Sequence, residues 1–533
     1  MDLDGDGPTV TLDQGKVRGT LRETVARFLA VPYAAAASGD QRWRPPQPLK
    51  DAEAPRRNVA LHRCPQPSRP TQTFNGYVLE DDEDCLQLNI WTPVKALEGQ
   101  DASVPVLFYI HGGGGKCHSA HSPRESGHQL ALQQGLCCVN INYRLGILGF
   151  LAHPELASGS GNYAILDQIF ALQWIQRNIA SFGGDPKNVT IWGLSSGAQY
   201  VSTLLVSPAA QGLFHRAMVQ SCSDLNNVRQ VAGSCDVWLG KTAEDWGCEL
   251  CQEITGREDR QMEAMRSVPV EQIIRHSISE SANDCYEPAI DRRASIKPMS
   301  SMEALLAGNF HQVPVLLGVT ENDGLGKSEL EQTIFCQSEV RSRADLEELF
   351  RRDFGENAAT VLSHYWPKDV ESEARAVHQA LSLFSNDLWY FAGTHLMAKL
   401  MSSSSPVFLY CFAGAKRSMH GSDMASWRGA SKSKLSQIMS RYLGNFARYG
   451  NPNGNDLVSE SSADLPQWKS MSEAPDEWMF LNSEAAMKEI DAATLRWYNF
   501  LAAEYFSKRI LQKVNANDCH DVHASKRMCR EKS

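Results

Sequence analysis

The sequence predicts an α/β fold with a large, mainly parallel central sheet, helices on both faces and helical insertions. Three observations predict it. Two runs, "VPVLFYIHGGGG" (104–115) and "GLCCVNINYRLGILGF" (135–150), are too continuously apolar for a sheet with one wet face, so they read as strands covered on both sides. Next, "ILDQIFALQWIQRNIASFGGDP" (165–186) carries Ile165, Ile169, Leu172, Ile175 and Ile179 at helical spacing and stops at Phe182-Gly183-Gly184. "KNVTIWGLS" and "SGAQYVSTLLVSP" then repeat the pattern as strand and helix, the alternation that builds a right-handed parallel sheet.

The flanking elements follow from local chemistry. "TVTLDQGKVRGT" reads as a hairpin turning at Asp13-Gln14-Gly15. "RWRPPQP" must be extended, because a proline ring disfavours the helical conformation of the residue before it. From about 225 to 405 the pattern is mixed and helical. "HQVPVLLGVTENDG" (311–324) and "SSPVFLYCFAG" (404–414) interrupt it as apolar strands that end in loops. The expected organisation is one domain over 1–507, with a helical insertion at about 325–405 and a basic, polar tail at 508–533.

Composition narrows the functional classes. With 533 residues and 42% hydrophobic content the chain can bury a large core. Lys and Arg number 52 against 62 Asp and Glu, a net charge of −10, which argues against a nucleic-acid partner. No run approaches the ~18 apolar residues of a membrane span. The acidic start, "MDLDGDGPTV", lacks the basic and apolar regions of a secretory signal. As given, the chain is therefore expected in the cytoplasm, and a trimmed N-terminus would make it secreted. "CELC" (Cys248, Cys251) has no second pair at zinc spacing, and Cys519, His520 and His523 read as solvated side chains of the tail, so no metal site is expected. "NVT" at Asn188 is a glycosylation sequon, but one that opens a buried strand.

Chemistry concentrates at "GLSSG" (193–197), which fits the G-x-S-x-G nucleophile elbow. The pattern is meaningful only between a strand and a helix, and here "VTIW" enters and "GAQYVSTLLVS" leaves. Gly193 and Gly197 would clear the crowded turn, which makes Ser195 the attacking residue and Ser196 the donor of a backbone N–H. The plain alternative is a serine capping an ordinary helix. A serine nucleophile needs a base, and the base an orienting carboxylate, in the chain order Ser, acid, His. "GVTENDG" offers Asp323 just past a strand, with Glu321 as its rival, and His420 stands just past "VFLYCFAG". "HGGGG" (His111 to Gly115) follows a buried strand, where residues without side chains let amides approach a developing negative charge.

These motifs, together with "RFLAVPYA", "RWRPPQP", "EDCLQLNIWTP", "NYRLGILGFL", "GNYAILDQ" and "GLFHRAMVQS", resemble those of the type-B carboxylesterase/lipase family, which includes the cholinesterases. The resemblance runs from about Gly15 to about Trp497. It implies an α/β-hydrolase fold, a disulfide between Cys64 and Cys85, and ion pairs of Arg44 with Glu83 and of Arg144 with Asp167. It also implies a catalytic triad of Ser195, Asp323 and His420, and an oxyanion hole formed by Gly113, Gly114 and the N–H of Ser196. The sequence departs from the family at several points. Leu194 stands where a glutamate is usual, Ser196 where an alanine is usual, and Asp323 where the acid is more often Glu. The missing glutamate would belong to a polar network near His420, with Ser221 another member. After the glycine run an aromatic residue is common, and here Gly115-Lys116-Cys117 follows, which would widen the acyl side of the pocket.

The expected function is therefore a serine carboxylic-ester hydrolase that acts through an acyl-enzyme on small to medium esters, needs no cofactor and takes a small-molecule ester as its only implied partner. Two other readings compete: a catalytically silent, cholinesterase-like binding or adhesion protein, and a lipase. The segment Pro65–Asp84 is polar and acidic, unlike an apolar lid, and between Cys64 and Cys85 only Phe74 and Tyr77 are aromatic, with Asn75 at the cholinesterase tryptophan position. A cage for quaternary ammonium is therefore not expected. The disulfide fits an oxidising compartment, against the reading from the N-terminus.

Overall fold

The structure is a computed structural model that describes residues 7–49, 60–67, 72–74, 77–99, 103–157, 160–221, 224–225, 242–276, 287–292, 294–324, 340–413, 418–455, 465–483 and 485–507. The expected tail at 508–533, with Cys519, His520 and His523, lies outside them, as do the first part of the insertion (325–339) and Asn75.

Eleven strands form one mixed sheet. In chain order they are β1 (Thr20–Arg22), β2 (Val25–Pro32), β3 (Gln87–Pro93), β4 (Val104–Ile110), β5 (Cys137–Ile141), β6 (Gly184–Leu194), β7 (Arg216–Gln220), β8 (Val315–Thr320), β9 (Val407–Phe412), β10 (Glu477–Leu481) and β11 (Ala486–Glu489). In space they run 1-2-3-5-4-6-7-8-9-10-11. The stretch from β5 to β10 is parallel, and the outer strands on either side pair antiparallel. The expected N-terminal hairpin pairs Thr9–Leu12 with Gly15–Arg18, outside this sheet.

The continuous apolar runs have the cause assigned to them. Along β4, Val106, Phe108 and Ile110 enter one apolar layer, while Leu107 and Tyr109 enter the layer on the opposite face. β9 divides in the same way, with Leu409 and Cys411 on one side and Phe408, Tyr410 and Phe412 on the other. A strand with both faces covered has no wet side on which to place polar residues. Helix α1 (Tyr163–Asn178) and helix α2 (Ser196–Leu205) return the chain between parallel strands. The insertion between β8 and β9 contributes helices at Arg343–Phe354, Ala358–Tyr365, Glu373–Ser385 and Gly393–Met401, with a π-helical turn at Asn386–Ala392.

Three expectations are corrected. The apolar run 135–150 is a strand only to Ile141. Asn142 then binds across the chain to His62 and Ala120, left-handed Gly146 (φ 54°) turns the backbone, and Gly146–Phe150 is a short helix. The strand expected from Lys187 begins earlier, since β6 starts at Gly184. Glu83 pairs with Arg42, not Arg44: Arg42 Nε and Nη2 each lie 2.6 Å from a Glu83 carboxylate oxygen. Buried Trp43, at φ 53°, reverses the chain between the two arginines, which leaves the Arg44 side chain exposed and its carbonyl bonded to Arg144.

The Cys64–Cys85 disulfide is present. So is the pair of Arg144 with Asp167, in a forked geometry of 2.8 and 2.6 Å with both side chains buried. Removing one partner of such a pair strands a charge away from water. Asp167→Ala should cost about 3–5 kcal/mol in urea unfolding. Asp13→Ala, which breaks the exposed pair with Arg177, should move stability by no more than ~0.5 kcal/mol. Equal effects would contradict this assignment.

Candidate active site

Ser195 is the one residue between the end of β6 and the start of α2, and its backbone sits at φ 60° and ψ −129°, a conformation that a residue with a side chain rarely adopts. The turn is possible because both flanking residues are glycine. A Cβ at Gly193 would lie 2.2 Å from the Gly197 carbonyl oxygen, and one at Gly197 would lie 2.2 Å from that of Ile110. The Ser195 N–H donates to the Gln220 carbonyl at 3.0 Å, and its own carbonyl accepts from Ala198 and Gln199 as α2 begins. This is the strained strand-to-helix turn of a nucleophile elbow.

The acid and the imidazole come from neighbouring strand ends. Asp323 follows β8 and is fully buried. Its Oδ1 lies 2.6 Å from His420 Nδ1, and its Oδ2 accepts from the Thr320 N–H at 2.7 Å. Glu321 is exposed, and of the two acids it is Asp323 that bonds to His420. Two backbone bonds extend the pairing of β8 and β9 into these loops, from Glu321 N–H to the Phe412 carbonyl and from Asn322 N–H to that of Ser418. Asn386 in the π-helical turn holds the far side, accepting from the Gly324 N–H at 2.9 Å, and Tyr390 one turn on packs edge-on against His420. His420 reaches Ser195 through their chain neighbours, since a Cβ on Gly421 would come within 3.2 Å of Leu194 Cδ2. Among the described residues no hydrogen bond joins Ser195 to His420, as is common before substrate enters.

The glycine loop lies against the elbow. A Cβ on Gly112 would lie 2.6 Å from the Leu194 carbonyl oxygen and 3.0 Å from Ser195 Cβ. Gly113 and Gly114 have positive φ of 109° and 64°, and the Cβ position of Gly114 faces open space. Ser196 is the first residue of α2, so its N–H has no carbonyl one turn back. Among the described residues, no backbone hydrogen bond occupies the N–H groups of Gly113, Gly114 or Ser196. The Ser196 hydroxyl accepts from the Gly115 N–H at 3.2 Å, and the Gly115 carbonyl accepts from Gly146. The hydroxyl that replaces the usual alanine therefore fastens the glycine loop to the elbow.

A buried network stands behind the imidazole, but with a different membership from the one expected. Among the described residues the buried Ser221 hydroxyl has no hydrogen-bond partner. The chain of bonds instead runs from Trp192 Nε1 to Gln220 Oε1 (2.8 Å), from Gln220 Nε2 to Asp423 Oδ1 (2.8 Å), and from the Tyr410 hydroxyl to Asp423 Oδ2 (2.9 Å). Sequence reasoning missed Asp423 and Gln220, whose one signal was proximity to His420 and Ser221. Burial, reinforced by the nearby Asp323 carboxylate, pushes the Asp423 carboxyl up to about 6. Leu194 packs against the apolar layer on that face. Elsewhere, Phe74 is buried against His121, which removes it from any cation cage. Cys248 and Cys251 lie on the helix Ala243–Thr255, and no three His, Cys, Asp or Glu side chains among the described residues stand close enough to hold a metal.

Asp423 gives stability a sign that can be checked. Its folded pKa lies above the usual ~3.9 of the unfolded chain, so the native state holds the proton more tightly and stability falls as pH rises from ~4 to about 6. Asp423→Asn keeps an acceptor for Gln220 and removes the titration. The gap in urea stability between mutant and wild type should widen in the mutant's favour from pH 4.5 to 6 and stay level above. A gap independent of pH would refute this.

The likenesses to known proteins agree with this geometry. A model of the carboxylesterase family matches residues 6–496. Para-nitrobenzyl esterase of Bacillus subtilis is 29% identical over 76% of this chain and 78% of its own. Fumonisin B1 esterase of Sphingopyxis macrogoltabida is 30% identical over 82% and 81%, and carboxylesterase 1F of Mus musculus is 28% identical over 84% and 87%. A solved PNB esterase superposes with a TM-score of 0.75, at 24% identity, over 93% of this chain and all of that one, which shares the fold. With an α/β-hydrolase sheet, an elbow at its centre and a family match along nearly the whole sequence, the chain belongs to the carboxylesterase family and is a carboxylic ester hydrolase.

Proposed function

We propose that the chain hydrolyses small to medium carboxylic esters by a Ser195–His420–Asp323 mechanism with an acyl-enzyme intermediate. The observation that carries the reading is the 2.6 Å bond from His420 Nδ1 to buried Asp323, beside a serine held in the elbow conformation. Asp323 fixes the imidazole with Nδ1 protonated, which leaves Nε2 as the base. Ser195 Oγ attacks the ester carbonyl carbon as its proton passes to His420. The oxyanion is received by the N–H groups of Gly113, Gly114 and Ser196, whose direction is fixed before substrate arrives. Collapse expels the alcohol, which takes the proton from His420. Water, deprotonated by the same imidazole, then attacks the acyl carbon, and the acid leaves with Ser195 restored.

The departures tune this chemistry without removing any part of it. With Leu194 in place of a glutamate, one negative charge that would stabilise the imidazolium is gone. The Gly115-Lys116-Cys117 stretch, with no aromatic residue, suits an acyl group larger than acetyl.

The test is hydrolysis of p-nitrophenyl esters from acetate to decanoate. Wild type should turn over with an optimum at an intermediate chain length. Ser195→Ala should lose activity by at least about 10⁴-fold, and Asp323→Asn by a comparable factor, because the wrong tautomer then faces the serine. Activity surviving in Ser195→Ala would move the nucleophile elsewhere. Silence of both proteins would favour a binding role.

A further inference from the structure

We propose that Gln66 is a positioning residue for the oxyanion loop, and that through it the Cys64–Cys85 crosslink sets the rate of ester hydrolysis. The proposal rests on the assignment of Gly113 and Gly114 as oxyanion donors.

Gln66 stands two residues past Cys64 and is 4% exposed. Both of its amide hydrogens and its oxygen are engaged. Nε2 donates to the Cys64 carbonyl at 3.0 Å and to the His118 carbonyl at 3.1 Å, while Oε1 accepts from the His118 N–H at 3.1 Å. One side chain thus binds both backbone groups of one residue, as a neighbouring strand would. That residue needs holding, because His118 has φ 81°, a region that a non-glycine residue keeps only where its surroundings enforce it. Just beyond, the Ala120 N–H donates to Asn142 Oδ1 at 2.7 Å and the Ala120 carbonyl accepts from Asn89 Nδ2 at 2.9 Å. Three side-chain amides therefore fix residues 118–120, and only that of Gln66 comes from the crosslinked segment.

The position of His118 reaches the oxyanion donors through Gly113. A Cβ on Gly113 would lie 2.2 Å from the Cys117 carbonyl oxygen and 2.6 Å from His118 Cδ2, so Gly113 lies directly on the segment that Gln66 holds. The Gly113 carbonyl accepts from the Lys116 N–H at 3.1 Å and from the Cys117 thiol at 3.3 Å. In a trans peptide the carbonyl and the following N–H point in opposite directions. Tying the Gly113 carbonyl back to residues 116–117 therefore turns the Gly114 N–H away from them, toward the open side of the loop. If Gln66 releases His118, the 116–118 turn loses one of its holds and this peptide plane gains freedom to rotate. The hydrogen bonds lost on rotation are those that strengthen when the ester carbonyl becomes an oxyanion, so the transition state is weakened more than the bound ester.

The experiment compares wild type, Gln66→Ala, Gln66→Glu and the double variant Cys64→Ser/Cys85→Ser as full-length proteins. Working sites are first counted by titration to completion with a p-nitrophenyl phosphonate. Gln66→Ala should lower kcat per titrated site about 10- to 100-fold and leave KM nearly unchanged. Its affinity for a trifluoromethyl ketone, which forms a tetrahedral adduct on Ser195, should fall by the same factor as kcat/KM. Gln66→Glu keeps the acceptor but turns an oxygen toward the Cys64 and His118 carbonyls, so it should lose at least as much as Gln66→Ala. The double serine variant should share the direction of Gln66→Ala. Wild-type kcat per site in Gln66→Ala, or a loss confined to the number of titratable sites, would overturn the positioning role. Wild-type kcat per site in the double variant would overturn the part played by the crosslink. Activity persisting in Ser195→Ala would instead sink the underlying reading of the function, whatever Gln66 does.

Discussion

Ser195 cannot relax. Its backbone lies in a region that costs a residue with a side chain about 1–3 kcal/mol, and release of that strain would let α2 drift from β6. What holds it is the contact of Gly197 with the backbone of Ile110, so close that a single added carbon would overlap an oxygen. β4 supplies that backbone from the middle of the sheet, and β7 supplies the Gln220 carbonyl that takes the Ser195 N–H. The elbow is thus built by three adjacent parallel strands, and the apolar layers on both faces keep those strands in register. A rigid sheet is the price of a serine that needs no substrate to find its direction.

Charge around the imidazole is redistributed, not simply reduced. The glutamate usual in the family before Ser195 is absent, and Leu194 packs there against the apolar layer. A second carboxyl, Asp423, lies buried on the other side of the network, with its proton affinity raised by burial and by Asp323. Asp323 is bonded to both a backbone N–H and the imidazole, whereas Asp423 is held by the neutral Gln220 amide and Tyr410 hydroxyl.

Much of this arrangement was legible in the chain because it is local. The elbow needs two glycines at fixed spacing, buried strands need unbroken apolar runs, and the acid and the imidazole each sit a few residues past such a run. What could not be read depends on where a side chain points after a reversal. Arg42 and Arg44 both flank Trp43, and only its left-handed backbone decides which of them meets Glu83. The run ending at Phe150 carries no mark at Ile141 where strand stops, because the signal is an Asn142 amide bonded to distant segments. Asp423, Gln220 and Gln66 were missed for the same reason. A polar residue that works through partners far along the chain looks, in sequence, like any other.

The stitching of the loops after β8 and β9 bears on how such a molecule can change over time. Asp323 and His420 are 97 positions apart, yet they sit on adjoining strands whose pairing continues into both loops. The intervening segment leaves and re-enters at strands about 4.8 Å apart. A graft whose ends meet at that spacing, and which restores the contacts of Asn386 and Tyr390, could be exchanged without displacing the two residues it separates. The insertion is therefore a replaceable cassette, where pocket shape can be rewritten by recombination while the chemistry beneath it is inherited intact.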